Sequence, residues 1–285
     1  MGCIIYKATS FNPKLYREVL NLGTNRHYDG LECHQETIHG LEVSFTNITT
    51  LAMARHLNSP MGQYVSIDTG RLGKLKDRDS AIECFAECLT RFLEPFRGQN
   101  LLVVGIGNAD DFFGSLGPQV LRHIPAYLLS EAGASGMFKT VSLIAPGTNA
   151  QTNIDTDKLI SGIAQTVGAA CVLFINVSVT TSLEDVSSLI SLSTGGLKLI
   201  GSGKLLTEEE LGLPVVTVNA PLFLSIPPKT VNMLHIRVDK EGVCFADTNV
   251  TADIKCAVHV ISNGILRTLY PELGLAELRE IAEIM

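Results

Sequence analysis

The sequence predicts an α/β protein, a mostly parallel sheet with helices on both faces, and three observations carry that prediction. Runs such as Leu101-Leu-Val-Val104 and Cys171-Val-Leu-Phe-Ile175 are continuously apolar, the pattern of strands covered on both faces rather than half exposed. Segments between such runs place apolar residues at helical spacing, as Ile82, Phe85, Ala86, Leu89, Phe92 and Leu93 do within 79–96. The connections are short and carry turn or helix-start residues, Gly105, Gly107 and Pro118 among them. Strands alternating with helices through short turns favour parallel pairing with helices packed on the sheet.

Element by element, the alternation Leu41-Glu-Val-Ser-Phe45 predicts a half-buried strand, followed by an Ala/Met/Arg-rich helix and a second strand near 64–67. A helix over 79–96 follows, then strand 101–105, helix 118–130, strand 140–145, helix 156–167 and strand 171–176. Further strands are expected at 188–192 and 214–218 and a hairpin over 233–247, its strands flanking Asp239-Lys-Glu-Gly242. Two helices, 251–268 and 274–284, close the chain. Residues 1–40 read as polar and irregular, with a short helix around 13–22, which divides the chain into an N-terminal region, 1–40, and a single α/β domain, 41–285.

Composition narrows the function. The chain has 285 residues, 46% of them hydrophobic, enough for one large core. No apolar run approaches the roughly 20 residues that span a bilayer, and Met1-Gly-Cys-Ile-Ile-Tyr-Lys7 lacks the layout of a secretory signal, so a cytoplasmic protein without a membrane partner is expected. A net charge of −7 without clustered Lys and Arg argues against nucleic acid as partner; the one basic stretch, 71–78, reads as a solvated loop. Seven cysteines without CxxC spacing fit reduced thiols, with Cys84 and Cys88 in a helix core. The spacing of His27, His34 and His39 matches no standard metal site. Gly105-Ile-Gly107-Asn-Ala-Asp110 lacks the third glycine of a dinucleotide fingerprint, and Gly201-Ser-Gly-Lys204 lacks the first glycine of a phosphate loop. GxSxG and HExxH are both missing. No cofactor and no metal are expected.

The most informative stretch is 101–118, a buried strand running into a glycine-turned, carboxylate-bearing loop and then a helix. Ligands of α/β sheets bind at such strand ends. Asp110 and Asp111 lie in this loop, and Asp155 lies at the start of a later helix. Each also has a plain structural reading, loop solvation for the pair and helix capping for Asp155.

Several segments, in order, resemble the spore germination proteases over roughly residues 40–227: Gly62-Gln-Tyr-Val-Ser-Ile-Asp68, Val103-Val-Gly-Ile-Gly-Asn108 with Leu116-Gly-Pro118, Val141-Ser-Leu-Ile-Ala-Pro-Gly147 with Gln151-Thr-Asn-Ile-Asp-Thr156, then Gly201-Ser-Gly203, Leu211-Gly-Leu-Pro-Val-Val216 and Pro221. The resemblance implies a phosphorylase/hydrolase-like fold and an endopeptidase acting on small acid-soluble spore proteins. It also implies a location in the forespore or spore core, a homo-oligomer, and an N-terminal segment resembling a pro-segment. Its two catalytic aspartates map onto Gly114 and Asn176, and its further acid and arginine map near Ser193-Thr-Gly-Gly-Leu197 and just after Asn176, where the only polar side chains are Ser and Thr. Glycine has no side chain and an amide does not ionise near neutral pH, so neither can act as acid or base. A catalytically degenerate family member that binds a protein or peptide is therefore the main expectation. The alternative is an active endopeptidase with a rearranged acid pair, Asp110 and Asp111, with Asp155 a further candidate. The hydrogenase-maturation endopeptidases, which ligate nickel through carboxylates and histidine, resemble the same Gly-x-Gly-Asn loop, and His123 is the one histidine in the following helix.

Overall fold

The computed structural model describes residues 29–111, 114–125, 136–199, 204–226 and 243–283. One large sheet has the order β1-β2-β3-β7-β10-β6-β4-β5, with β11 also on β10. Its strands are β1 (Leu31–Ile38), β2 (Leu41–Ile48), β3 (Gly62–Asp68), β4 (Asn100–Ile106), β5 (Thr140–Gly147), β6 (Cys171–Thr180), β7 (Leu189–Ser193), β10 (Val215–Ile226) and β11 (Val243–Phe245). A separate small ribbon pairs β8 (Leu197–Lys198) with β9 (Leu205–Leu206). The helices are α1 (Leu51–His56), α2 (Arg78–Leu93), α3 (Leu116–Arg122), α4 (Asn149–Thr152), α5 (Thr156–Val167), α6 (Glu208–Leu211), α7 (Val250–Leu269) and α8 (Leu275–Glu283).

The expected α/β sheet is present, and it is mixed. Strands β5, β4, β6 and β10 pair in parallel, whereas β7, β3, β2 and β1 continue the sheet in antiparallel fashion. The parallel half explains the continuous apolar runs. In β4, Leu101 and Val103 enter one core while Leu102, Val104 and Ile106 enter another; β6 splits likewise, with Leu173 and Ile175 against Val172 and Phe174. Helices α2, α3 and α7 contribute to the first core, and α5, α6 and the β8–β9 ribbon to the second. A smaller third core, Leu31, Ile48, Leu57 and Tyr64, has Met53 and Ala54 of α1 packed against it.

Local chemistry sets the helix ends. The Asp77 side chain accepts from the Ser80 N–H at the start of α2, and burying Phe85 and Leu89 from this helix contributes about 1.5–3 kcal/mol each. Gly264 of α7 lies against the Phe85 ring, where a β-carbon would overlap it, so α2 and α7 approach closely. Gly168 ends α5 in the left-handed conformation at φ 62°.

Three expectations are corrected. Residues 31–38 are not irregular but an edge strand, paired with β2 from Leu31↔Ile48 to Ile38↔Leu41; its many exposed polar residues fit an edge with solvent on both sides, which hides it from apolar patterning. The helix expected over 118–130 runs from Leu116 to Arg122 and ends before Pro125, since the residue before a proline is disfavoured in helical geometry; residues 126–135 lie outside the described part. Of the expected hairpin, 227–242 lie outside the described residues, and Val243–Phe245 pairs with the far end of β10. The strands expected at 171–176 and 214–218 are longer than their apolar runs because they continue through polar residues. Among the described residues no helix is long and apolar enough to cross a membrane, and Cys84 and Cys88 are buried in the core.

The basic stretch after β3 is partly anchored. Asp253, in the first turn of α7, is fully buried and accepts from the Gly73 N–H at 2.8 Å and from Arg71 Nη2 at 3.2 Å; Arg71 also reaches Asp247 at 2.8 Å. The Arg71 guanidinium holds the Asp247 carboxyl down at about 2, from an ordinary 3.8. A carboxylate depressed by folding stabilises the protein above its unfolded pKa and loses that contribution as pH falls toward its folded one. Stability measured by denaturant titration should therefore fall between pH 3.8 and about 2, and Arg71→Gln should be less stable at neutral pH and show a shallower decline across that window.

Candidate functional site

At the end of β4 the chain turns at Gly107, whose φ of +126° suits glycine and where a β-carbon would overlap the Gly114 carbonyl. The turn is held by Asn108, whose side-chain oxygen accepts from the Asp110 N–H at 3.0 Å and whose carbonyl accepts from the Asp111 N–H at 3.2 Å. The Gly114 N–H closes it by donating to the Asp111 carbonyl at 3.1 Å. A β-carbon on Gly114 would stand 3.0 Å from the Asn108 nitrogen.

Two more glycines seat α3. A β-carbon on Gly117 would lie 2.6 Å from the Ile175 carbonyl oxygen and 2.7 Å from the Ile106 backbone; one on Gly105 would lie 2.6 Å from the Gly117 carbonyl. The first turn of α3 thus rests backbone-to-backbone on the end of β4 and the middle of β6, which is what Leu116-Gly-Pro118 encodes. Ile175 immediately precedes Asn176, so the first turn of α3 meets β6 one residue before Asn176.

The candidate residues divide between two cavities. Asp110 lines one of about 380 Å³ with Asn108, Pro118, Arg122, Ile144 and Gln151, between α3 and β5. Asn176 lines the other, of about 490 Å³, on the sheet face beside α1 and the β8–β9 ribbon, together with Ser178, Ser193, Asn219 and Tyr64. Asp110 is exposed and Asp111 half-buried on the loop. Asp155 occupies the N-cap position of α5 but makes no capping bond; its carboxylate pairs with Lys158 at 2.9 Å on the surface. His123, at the end of α3, has Nδ1 2.8 Å from the Gln119 carbonyl. Among the described residues no group of three or more His, Cys, Asp or Glu is placed to hold a metal.

The Asn176 cavity has a polar floor. Asn176 is 6% exposed, stands opposite Asn219 of β10 and donates from Nδ2 to its Oδ1 at 3.5 Å. Asn219 in turn stands opposite Ser191 of β7, whose hydroxyl donates to the Asn219 carbonyl at 3.3 Å. Tyr64 donates to the Pro60 carbonyl at 2.6 Å, and burial pushes its phenol pKa well up. Arg55 and Lys198 complete the lining with the only formal charges among the described residues there. Sequence reasoning assigned no role to Tyr64, Arg55, Lys198 and Asn219, which come from four separate elements; the available signal was the polar residue at every second position after Phe174, namely Asn176, Ser178 and Thr180.

The seating of α3 is directly testable. Gly117→Ala introduces a methyl where backbone atoms of two strands already lie, an overpacking that should cost about 1–3 kcal/mol and appear as a lower urea midpoint with unchanged slope.

Comparison with known proteins places this arrangement. The profile of the germination protease family matches residues 16–241. A germination protease of Caldanaerobacter subterraneus subsp. tengcongensis is 26% identical over 216 residues, 72% of this chain and 66% of the relative. That of a Geobacillus species is 29% identical over 209 residues, 68% of this chain and 55% of the relative, and that of Halalkalibacterium halodurans 30% identical over 210 residues, with the same coverage of 68% and 55%. The chain therefore spans between about half and two-thirds of the length of these curated relatives. With the family profile covering most of its residues, the chain belongs to the germination protease family.

Proposed function

We propose that this protein is a non-hydrolytic member of its family, which uses the inherited cleft to bind a protein or peptide in the spore core. Cleavage of an amide by paired carboxylates needs one group to activate water and another to protonate the leaving amine, with their pKa values pushed apart. Gly114 and Asn176 stand at the two positions that the family resemblance assigns to those groups, and neither ionises.

The observation that carries the reading is the packing of Gly114. Its Cα side faces the Asn108 backbone nitrogen at a distance where a β-carbon is already tight, and its carbonyl occupies the space beside Gly107. This loop is closed around a residue without a side chain, so an acid there requires the loop to shift. The alternative pair receives less support, since Asp110 is the sole carboxylate among the described residues lining its cavity and Arg122 shares that cavity.

Incubating the pure protein with small acid-soluble spore proteins should yield association detectable by sedimentation velocity and no fragments by mass spectrometry. Fragments that disappear in the Asp110→Ala/Asp111→Ala variant would overturn this reading in favour of the rearranged acid pair.

A further inference from the structure

The Asn176 cavity carries a charge pattern that the family resemblance does not explain. Its described lining contains two cations, Arg55 from the α1 wall and Lys198 from the β8–β9 wall, and no Asp or Glu. Neither side chain has an ion-pair partner among the described residues. On a chain of net charge −7 this is a local reversal of sign, and a cleft lined by one sign of charge draws the opposite sign into it.

The floor adds directed hydrogen bonding. Ser178 is 4% exposed, lines the cavity, and its hydroxyl has no hydrogen-bond partner among the described residues. Asn176 spends one amide hydrogen on Asn219, which leaves it a second donor and an acceptor. Asn and Ser groups both donate and accept, as peptide amides require, whereas a bare phosphate asks chiefly for donors. Leu51, Ala54, Pro60, Leu197 and Leu205 give the walls apolar surface for side chains. The neutrality of Asn176 matters most, because a carboxylate at that position would repel an anionic ligand and an amide N–H attracts it.

We propose that this cavity holds the free carboxyl end of a peptide, the carboxylate drawn between Arg55 and Lys198 and the last backbone amides met by Asn176, Ser178 and Asn219. The inference deepens the binding role above and rests on it in taking a peptide as the occupant. It differs in kind from endopeptidase recognition, which concerns an internal bond, because the group recognised is a chain terminus.

The test is calorimetric titration of the full chain, at low salt, with acetyl-Ala-Leu-Ala as the free acid and as its C-terminal amide. The acid should bind about tenfold more tightly or better, the scale of one charge-assisted contact. Arg55→Gln/Lys198→Gln, at two exposed positions, should abolish that preference while leaving the amide within about twofold of wild type, since rim charges act mainly on anionic ligands. Asn176→Asp should weaken the preference. Equal affinity for acid and amide, no binding of either at millimolar concentration, an unchanged preference in the double variant, or displacement of the acid by an equal concentration of inorganic phosphate would each overturn the proposal. The two readings fail separately: hydrolysis of spore proteins by the wild type ends the non-hydrolytic reading without altering the acid-to-amide ratio, and a ratio of one ends this inference without producing hydrolysis.

Discussion

The contact of Gly117 with the end of β4 and the middle of β6 is the constraint around which the rest of the site is arranged. Helices normally pack through a layer of side chains, with axes about 8–10 Å apart. Here the first turn of α3 meets strand backbone directly, because Gly105 and Gly117 both lack the β-carbon that would hold them apart. That approach leaves the loop after β4 very little room, so it turns through the left-handed geometry at Gly107 and folds back against Gly114. The same seating divides the strand ends. Asp110 falls on the side of α3 and β5, while Asn176 faces the cavity beside α1 and the small ribbon.

A second feature follows from how the sheet face beside α5 is used. Under α5 it is apolar, with Val172, Phe174 and Val215 buried, and near α1 it is closed by Ile48 and Tyr64. Between them the register lines up Ser66, Ser191, Asn219 and Asn176 across four strands. Buried polar groups are costly unless they are hydrogen-bonded, and only part of this row is, through Asn176 to Asn219 and Ser191 to Asn219. Packing alone would favour aliphatic residues there. Of this row, Asn176 and Asn219 line the cavity, so a ligand there would meet polar groups that packing alone does not require.

Most of the parallel half was legible in the sequence because burial on both faces writes itself as uninterrupted apolar runs, and the helix over 156–167 and the long C-terminal helix were expected within about a residue of their bounds. The antiparallel arm was harder. In β1, Glu32, His34 and Glu36 alternate with Cys33, Gln35 and Thr37, so neither face looks apolar, and its pairing with β2 comes from the tight turn at His39 and Gly40, both at positive φ. The candidate site was half legible. The glycine loop could be read because backbone geometry demands particular residues at particular spacings. The cavity could not, since Tyr64, Ser193 and Asn219 are individually unremarkable and only strand register brings them side by side. Asp155 illustrates the opposite error of a local rule: it stands where a helix cap should, yet pairs with Lys158 instead.

The chemistry of position 176 ties these points together. A carboxyl group at 6% exposure, beside the amide of Asn219, would be pushed toward its neutral form by desolvation and back toward its charged form by two cations on the cavity walls. Such opposed pressures suit a group that must gain and lose a proton. An amide responds to neither. With Asn176 the floor becomes uncharged at every pH and is satisfied in part by its neighbour, and Arg55 and Lys198 are left without an anion belonging to the cavity they line. An amide in place of an acid at 176 therefore bears on more than reactivity: it leaves the charge of both cations on the cavity walls uncompensated by the floor. An anionic ligand is the economical way to answer that charge, because a carboxylate between two cations offsets part of it without any rearrangement of the sheet.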